Sequence, residues 1–457
     1  MRISTSMIYD KGVNSLQQQW GDLLKTQQQL STGRRVLTPA EDPIAAARAL
    51  EVGQSKGVNT QFMTNIGYAD DAMKMFESTL TGVGDILHYS RERAVQAGNG
   101  AMTQTDLNYI ASDMKSQFEA LVALANTKDG MGDYLFAGYR AQTQPYTGNL
   151  AGISYEGDQG ERTIQVSASR YMPVSLPGSE VFDRTLAIDE QSVLLYGNAD
   201  NGGSETLAVS AVDPLAARQA TRYQISYSQP DPALPGTYSI ERLGQDSKDV
   251  PWTDAELEQM WPATPPATGF VVPDGYTLSA DRKTITYTPD PTAAPPLPYQ
   301  ISVDGLTIAL PSDPEPVPLD APQEARTVKD EVADGDRFEI FVPSTNLLNN
   351  VAMFAGALER PGASGVNGVV AFALQTMDAG QENVLKVRAQ IGSQMTETQN
   401  LANLGSDLNL QYAEVISGLM DVDYVEAISR LTQQQTYLQA AQQSFMKVSN
   451  MSLFNYI

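Results

Sequence analysis

The stretch STGRRVLTPAEDP (Ser31–Pro43) places a glycine, two arginines and a Ser-Thr pair close together. Those residue types can hold a phosphate, through free backbone amides, hydroxyl donors and guanidinium forks. A phosphate loop follows a strand and opens a helix. Here the runs on both sides have helical spacing, so a joint between two helices is the better reading. Gly33 suits the end of the first helix. Pro39 and Pro43 stop it from continuing, and Asp42 before Pro43 has the form of an N-cap followed by proline at the first helical position. Arg34 and Arg35 stand out in an acidic chain. They fit contacts to an acidic neighbouring subunit and plain solvent exposure about equally.

Other candidates for chemistry are sparse. The single histidine, His88 in DILHYSRE, lies outside any His-Glu-x-x-His arrangement and reads as a partly exposed helix residue. Asp421 and Asp423 have Asp-x-Asp spacing, but no calcium-loop continuation follows, so an N-cap at the start of the last helix is expected. ADGDRFEI likewise reads as a turn before a strand. With no cysteine, disulfides, thiolate metal sites and cysteine nucleophiles are excluded. No nucleophile, base and orienting group come together. The expectation is a structural or binding protein, not an enzyme, with no metal and no cofactor.

The chain has 457 residues and a formal charge of -24. That length allows several domains. The charge argues against nucleic acid and anionic membrane surfaces as partners. No run approaches the roughly 20 apolar residues of a membrane span. The opening MRISTSMIYDKGVNSLQQQW lacks the apolar core of a cleaved signal.

Proline divides the chain. Of 26 prolines, 23 fall from Pro145 to Pro343, and most of the negative charge lies in the same stretch. The outer segments are rich in Gln, Ala, Leu and Met, a helix composition. Tyr9, Val13, Leu16, Trp20, Leu23, Gln27 and Leu30 follow one another at 4-3 spacing and predict one helical seam. Phe62, Ile66, Ala69, Met73, Phe76, Leu80, Val83 and Leu87 predict a second, on a helix of roughly 80 Å if Ile44 to about Gln96 is continuous. A third helix is expected from Thr105 to Ala125. Near the other end, Leu401, Leu404, Leu408, Tyr412, Val415, Leu419 and Val422 mark a helix. Tyr424, Ala427, Leu431, Gln434, Leu438, Ala441, Phe445 and Val448 mark the last. Gln27 and Gln434 inside their seams either fix register or are merely tolerated; the spacing does not choose.

The middle reads as β. GISYEGDQGERTIQVSASRYMPVSL predicts a hairpin around a glycine-containing turn. RYQISYS, GTYSIERL, GYTLSADRKTITYTP, YQISVDGLTIAL and GDRFEIFV are further strand candidates. PDPTAAPPLP and PSDPEPVPLDAP read as rigid surface loops. The helices of the two chain ends should pack side by side, with the middle projecting outward.

These residues carry a resemblance. MRISTSMIYDKGVNSL with STGRRVLTPAEDP, GDYLFAGYRAQTQPY, PGSEVF and the closing DVDYVEAISRLTQQQTYLQAAQQSFMKVSNMSLFNYI resemble the hook-associated protein 3 family, the hook–filament junction branch of the flagellins. Flagellin itself usually has an Asp-Asp-Ala-type continuation where AEDP stands here. The resemblance implies an α+β fold: a long-helix coiled-coil bundle from both chain ends, a β-hairpin and an inserted, mostly β outer domain. The expected parts are a terminal axial helix (1–35), a bundle with hairpin (36–181), the inserted domain (182–342), the returning bundle (343–420) and a second axial helix (421–457). It also implies an adaptor ring made of copies of the chain, between hook-associated protein 1 and the flagellin filament. A cytoplasmic export chaperone, type III export without a cleaved signal and an extracellular location on the flagellum would go with that role. The expected assembly interface is Val13, Leu16, Trp20, Leu23, Gln27, Leu30, Arg34, Arg35, Leu431, Gln434, Leu438, Phe445 and Val448. A self-polymerising flagellin, or a secreted adhesin on a helical stalk, are the alternative readings.

Overall fold

The computed structural model describes residues 5–203, 207–230, 236–263, 269–289, 299–310, 332–362 and 365–454. Five helices dominate: α1 (Thr5–Thr32), α2 (Pro43–Ala97), α3 (Gln104–Ala125), α7 (Gly365–Met420) and α8 (Tyr424–Phe454). α2 has 55 residues and α7 has 56, several times the length of an average globular helix. The chain divides into two compact units. Unit 1 is Met1–Tyr68, Gln165–Tyr171 and Glu397–Ile457; unit 2 is Ala69–Ile164 and Met172–Thr396.

Unit 2 holds most of the core. On α2 the predicted seam is real: Ile66 through Leu87 are each at most 5% exposed at the expected positions, and burial continues through Ser90, Ala94 and Ala97. α3 begins at Gln104 behind a capping box. The Thr103 hydroxyl accepts from the Asp106 amide, and the Asp106 carboxylate accepts from the Thr103 amide. Against α3 packs α6 (Leu347–Glu359), whose residues are buried almost all round, as befits a helix with no polar face. Rings of Phe76, Phe136, Phe182, Tyr146 and Tyr155 join a nearby aromatic cluster with centroids 5.2–5.9 Å apart.

The expected single hairpin is two. β1 (Tyr146–Asn149) pairs with β2 (Gly152–Tyr155), and β3 (Thr163–Ser167) pairs with β4 (Arg170–Pro173). The physical reason is turn chemistry. Asn149 folds its side chain back onto the Ala151 amide at 2.8 Å and closes a tight β1–β2 turn with the upstream strand. The glycine-containing stretch after β2 is instead pinned elsewhere: Asp158 Oδ1 accepts from the amides of Tyr139 and Gly160. PGSEVF forms the short helix α4 (Gly178–Phe182).

Farther along, a six-stranded antiparallel sheet has the order β5-β13-β7-β8-β10-β9, and a three-stranded sheet has the order β11-β12-β6. β7 (Thr221–Ser228), β8 (Thr237–Leu243), β9 (Tyr276–Leu278), β10 (Thr284–Tyr287), β11 (Gln300–Val303), β12 (Leu306–Ala309) and β13 (Arg337–Val342) lie where the alternation placed strands. β5 (Leu194–Gly197), β6 (Ala208–Val212) and the short helix α5 (Asp254–Met260) were not expected. β5 and β6 sit at sheet edges, and their burial does not alternate cleanly. The core between the sheets encloses charge. Asp304 accepts from Tyr223 Oη, Trp252 Nε1 and Arg242 Nη1 at 2.8–3.1 Å. Arg222 and Glu339, both fully buried, pair at 3.0 Å. PSDPEPVPLDAP, and PDPTAAPPLP apart from Pro289, lie outside the described residues.

Candidate assembly interface

Unit 1 contains both terminal helices. α1 and α8 run antiparallel. Phe445 sits against Gly12, and Tyr424 against Gly33; a Cβ on Gly12 would lie 2.8 Å from the Phe445 ring. The rings of Tyr9 and Phe445 are 5.1 Å apart. On α8 the inward positions match the spacing: Ala427 and Leu438 are buried, and Leu431, Gln434 and Phe445 are half-buried. Tyr424 is exposed, and Val448 lies in α8 with its side chain outside those described.

On α1 the seam is turned from the one expected. Val13, Leu16 and Leu30 are half-buried and Leu23 is buried. Trp20 is 48% exposed and Gln27 is also exposed. Gln19 and Thr26, one position earlier on the helix, take the inward places. The observed seam of Gly12, Leu16, Gln19, Leu23, Thr26 and Leu30 keeps the heptad steps but takes the residue three after each leucine instead of four, so Trp20 and Gln27 fall just outside it. Polar residues can occupy that face: Thr26 Oγ1 donates to Asp22 O at 3.0 Å within its own helix. Gln19 Oε1 and Gln434 Oε1 are buried without a hydrogen-bond partner.

The stretch Ser31–Pro43 forms a clasp with the break between α7 and α8. Gly33 takes φ +71° and ends α1. The Val422 amide donates to Gly33 O at 2.9 Å, and the Arg35 amide donates to Met420 O at 2.7 Å. Arg34 and Asp421 thereby face each other as one antiparallel pair. Arg35 Nη2 donates to Leu419 O (2.8 Å) and Asp42 Oδ2 (3.2 Å), and Gln29 Nε2 donates to Arg35 O (2.6 Å). The guanidinium expected to reach a neighbour thus has partners in its own chain; the side chain of Arg34 is exposed. Asp42 Oδ1 accepts from the Ala45 amide at 3.0 Å, the expected N-cap. That bond holds the Asp42 carboxyl below the usual range, and the Leu37 amide does the same for Glu41. Asp423 Oδ1 accepts from the Val425 and Glu426 amides, so it caps α8 as expected. His88 is an exposed residue of α2 beside Glu92.

Unit 1 also contains an open groove of about 550 Å³ between α2, α7 and the β3–β4 turn, floored by Phe62, Ile66, Val166, Leu401 and Leu408. Of the 24 large apolar side chains exposed among the described residues, 17 belong to unit 1. The charge is divided just as unevenly. By sequence unit 1 has 10 basic and 11 acidic residues, a net of -1, whereas unit 2 has 20 and 43, a net of -23. This division is invisible in the overall composition. Unit 1 is therefore apolar outside, thin in core and nearly neutral, the properties of a surface that associates.

Comparison with known proteins finds flagellar relatives. The bacterial flagellin N-terminal helical region matches residues 3–141. The flagellar hook-associated protein 3 of Escherichia coli is 26% identical over 454 residues, which cover 99% of each chain. The chain is a relative of flagellar hook-associated protein 3. The protein of that name from Salmonella typhimurium is 33% identical over 183 residues, 40% of this chain and 57% of the relative. Among solved structures, flagellar hook associated protein-3 of Legionella pneumophila covers 80% of this chain and 98% of its own at 20% identity, with a TM-score of 0.47. The likeness is thus to a structural protein of the flagellum and not to an enzyme. Among the described residues, no helix is long and apolar enough to cross a membrane.

Proposed function

We propose that the chain is the adaptor at the hook–filament junction, linking hook-associated protein 1 to the flagellin filament as a ring of its own copies. The observation that carries this is the character of unit 1: a nearly neutral surface that leaves most of the exposed large apolar side chains uncovered. Copies meeting through it bury apolar area with little like-charge repulsion at the contact itself. Val13, Leu16, Leu23 and Leu30, facing Leu431, Gln434, Leu438 and Phe445, hold the terminal pair together. Trp20, Gln27 and Arg34 are the positions assigned to neighbouring subunits; Val448, by its spacing, continues the α8 seam.

In this reading the chain leaves the cell unfolded by the flagellar type III route. An export chaperone covers the apolar positions of α8 beforehand. Labelling on intact flagella tests the proposal. A single spot at the boundary between hook and filament is expected. Label spread along the filament would mean a flagellin instead.

A further inference from the structure

The α1–α8 seam is a poor ruler. Its inward positions include Gly12, Gln19, Thr26 and Gln434, and two of its amide oxygens lack partners. Small and unsatisfied polar contacts distinguish one helical register from the next only weakly. The clasp is the opposite: short, directional and made at one level. α7 ends at Met420, which leaves its last carbonyls without helical partners. Arg35 supplies two donors there, its amide to Met420 O and its Nη2 to Leu419 O. The same nitrogen meets Asp42, the cap of α2, while the Arg35 carbonyl accepts from Gln29 of α1. One residue therefore joins the ends of three helices. A cation at the carbonyl end of a helix is also favoured by the helix dipole.

We infer that Arg35 is a positioning residue: it levels the break after α1 with the break before α8 and so fixes where the two terminal helices begin along each other. Both side-chain bonds leave the same nitrogen, so a lysine ammonium has the donors for both acceptors but carries them on a shorter, more flexible stem. Arg34 and Asp421, between the two backbone hydrogen bonds, form a non-hydrogen-bonded antiparallel pair. Such pairs have Cα atoms about 4.5 Å apart, inside the range that a disulfide spans. With no native cysteine, one introduced pair can form only one intramolecular bridge.

The test uses amide hydrogen exchange on the full chain. In Arg35→Ala, exchange at Val422 and Ala427 should quicken at least about tenfold, while Met73–Leu87 in unit 2 stay as protected as before. Arg35→Lys should recover part of the loss. Adding Arg34→Cys and Asp421→Cys to Arg35→Ala, then oxidising, should restore slow exchange at Ala427 and along the inward face of α8; reduction should undo it. Unchanged exchange at Val422 in Arg35→Ala would overturn the inference. So would an oxidised bridge that leaves α8 exchanging fast, or a chain that fails to fold even with the bridge closed.

Discussion

At the scale of single residues, Asp183 shows what burial costs. Its carboxyl sits at the end of α4 and accepts from Tyr146 Oη at 3.2 Å and from Asn346 Nδ2. Desolvation nonetheless pushes its pKa up from 3.8 to about 6, with both hydrogen bonds pulling the other way. The folded state thus holds this proton more tightly than the unfolded chain. Stability from this group is greatest below about pH 4, falls as pH rises toward 6 and does not return above it. Asp183→Asn should keep both donors paired and remove the cost, stabilising unit 2 by up to about 2–3 kcal/mol at pH 7.5 and by almost nothing at pH 4. Urea denaturation at the two pH values measures this; a variant less stable than the parent at pH 7.5 would show that the ionised form has a use. Gln434 offers a second case. Its unpaired buried oxygen suggests that Gln434→Leu should strengthen the terminal pair by about 1–2 kcal/mol. If thermal unfolding of α8 moves down instead, the glutamine sets register and is not merely tolerated.

At the scale of elements, apolar periodicity was legible and polarity inside a seam was not. The α2 seam is visible in the sequence because large apolar residues at 4-3 spacing are driven to one face, and burial follows. The α1 seam was misplaced at Trp20 and Gln27, since a face lined by glycine, threonine and glutamine carries almost no apolar signal. The strands that alternate, such as β7 and β13, were visible; the edge strands β5 and β6, with little to bury, were not. Of the candidate interface, the composition of α8 was plain, but Leu419, which Arg35 meets, lies 384 residues away and no local pattern shows it. The helix pair itself makes a prediction. Leu431→Asp with Leu438→Asp puts two carboxylates on the inward face of α8. Filament attachment should be lost while circular dichroism of the sheets and the unfolding of unit 2 stay unchanged. Normal filament growth in that variant would rule out the seam as an assembly element.

At the scale of the whole molecule, the division of charge sets the terms of association. Copies that meet through unit 1 still bring together the net charge of -23 that each unit 2 carries. Interactions of that kind are screened over about 10 Å at 0.1 M salt. Self-association of the purified chain should therefore strengthen as NaCl is raised from about 20 to about 500 mM, as read by sedimentation velocity. Weakening over that range would mean that ion pairs between copies, not apolar burial, hold them. The terminal helices belong to the same picture. Because so much of their apolar surface is uncovered, amides in residues 5–30 and 425–445 should exchange faster than those of Met73–Leu87 in the free chain and slow further once copies assemble. Protection in the free chain equal to that of Met73–Leu87 would remove the need for partners.

The antiparallel pairing of α1 with α8 also fixes an order of events in time. The ring that fills the seat at Gly12, Phe445, is synthesised 433 residues after it (445 − 12). At translation speeds of about 5–20 residues per second, the interval between them is roughly 20–90 seconds. For all of it, Leu16 and Leu23 have no α8 to lie against. Closing so long a loop comes late in folding as well, since distant contacts are entropically the slowest to form. α1 is thus without its partner until α8 arrives, and anything that must keep the chain from folding has that long to act.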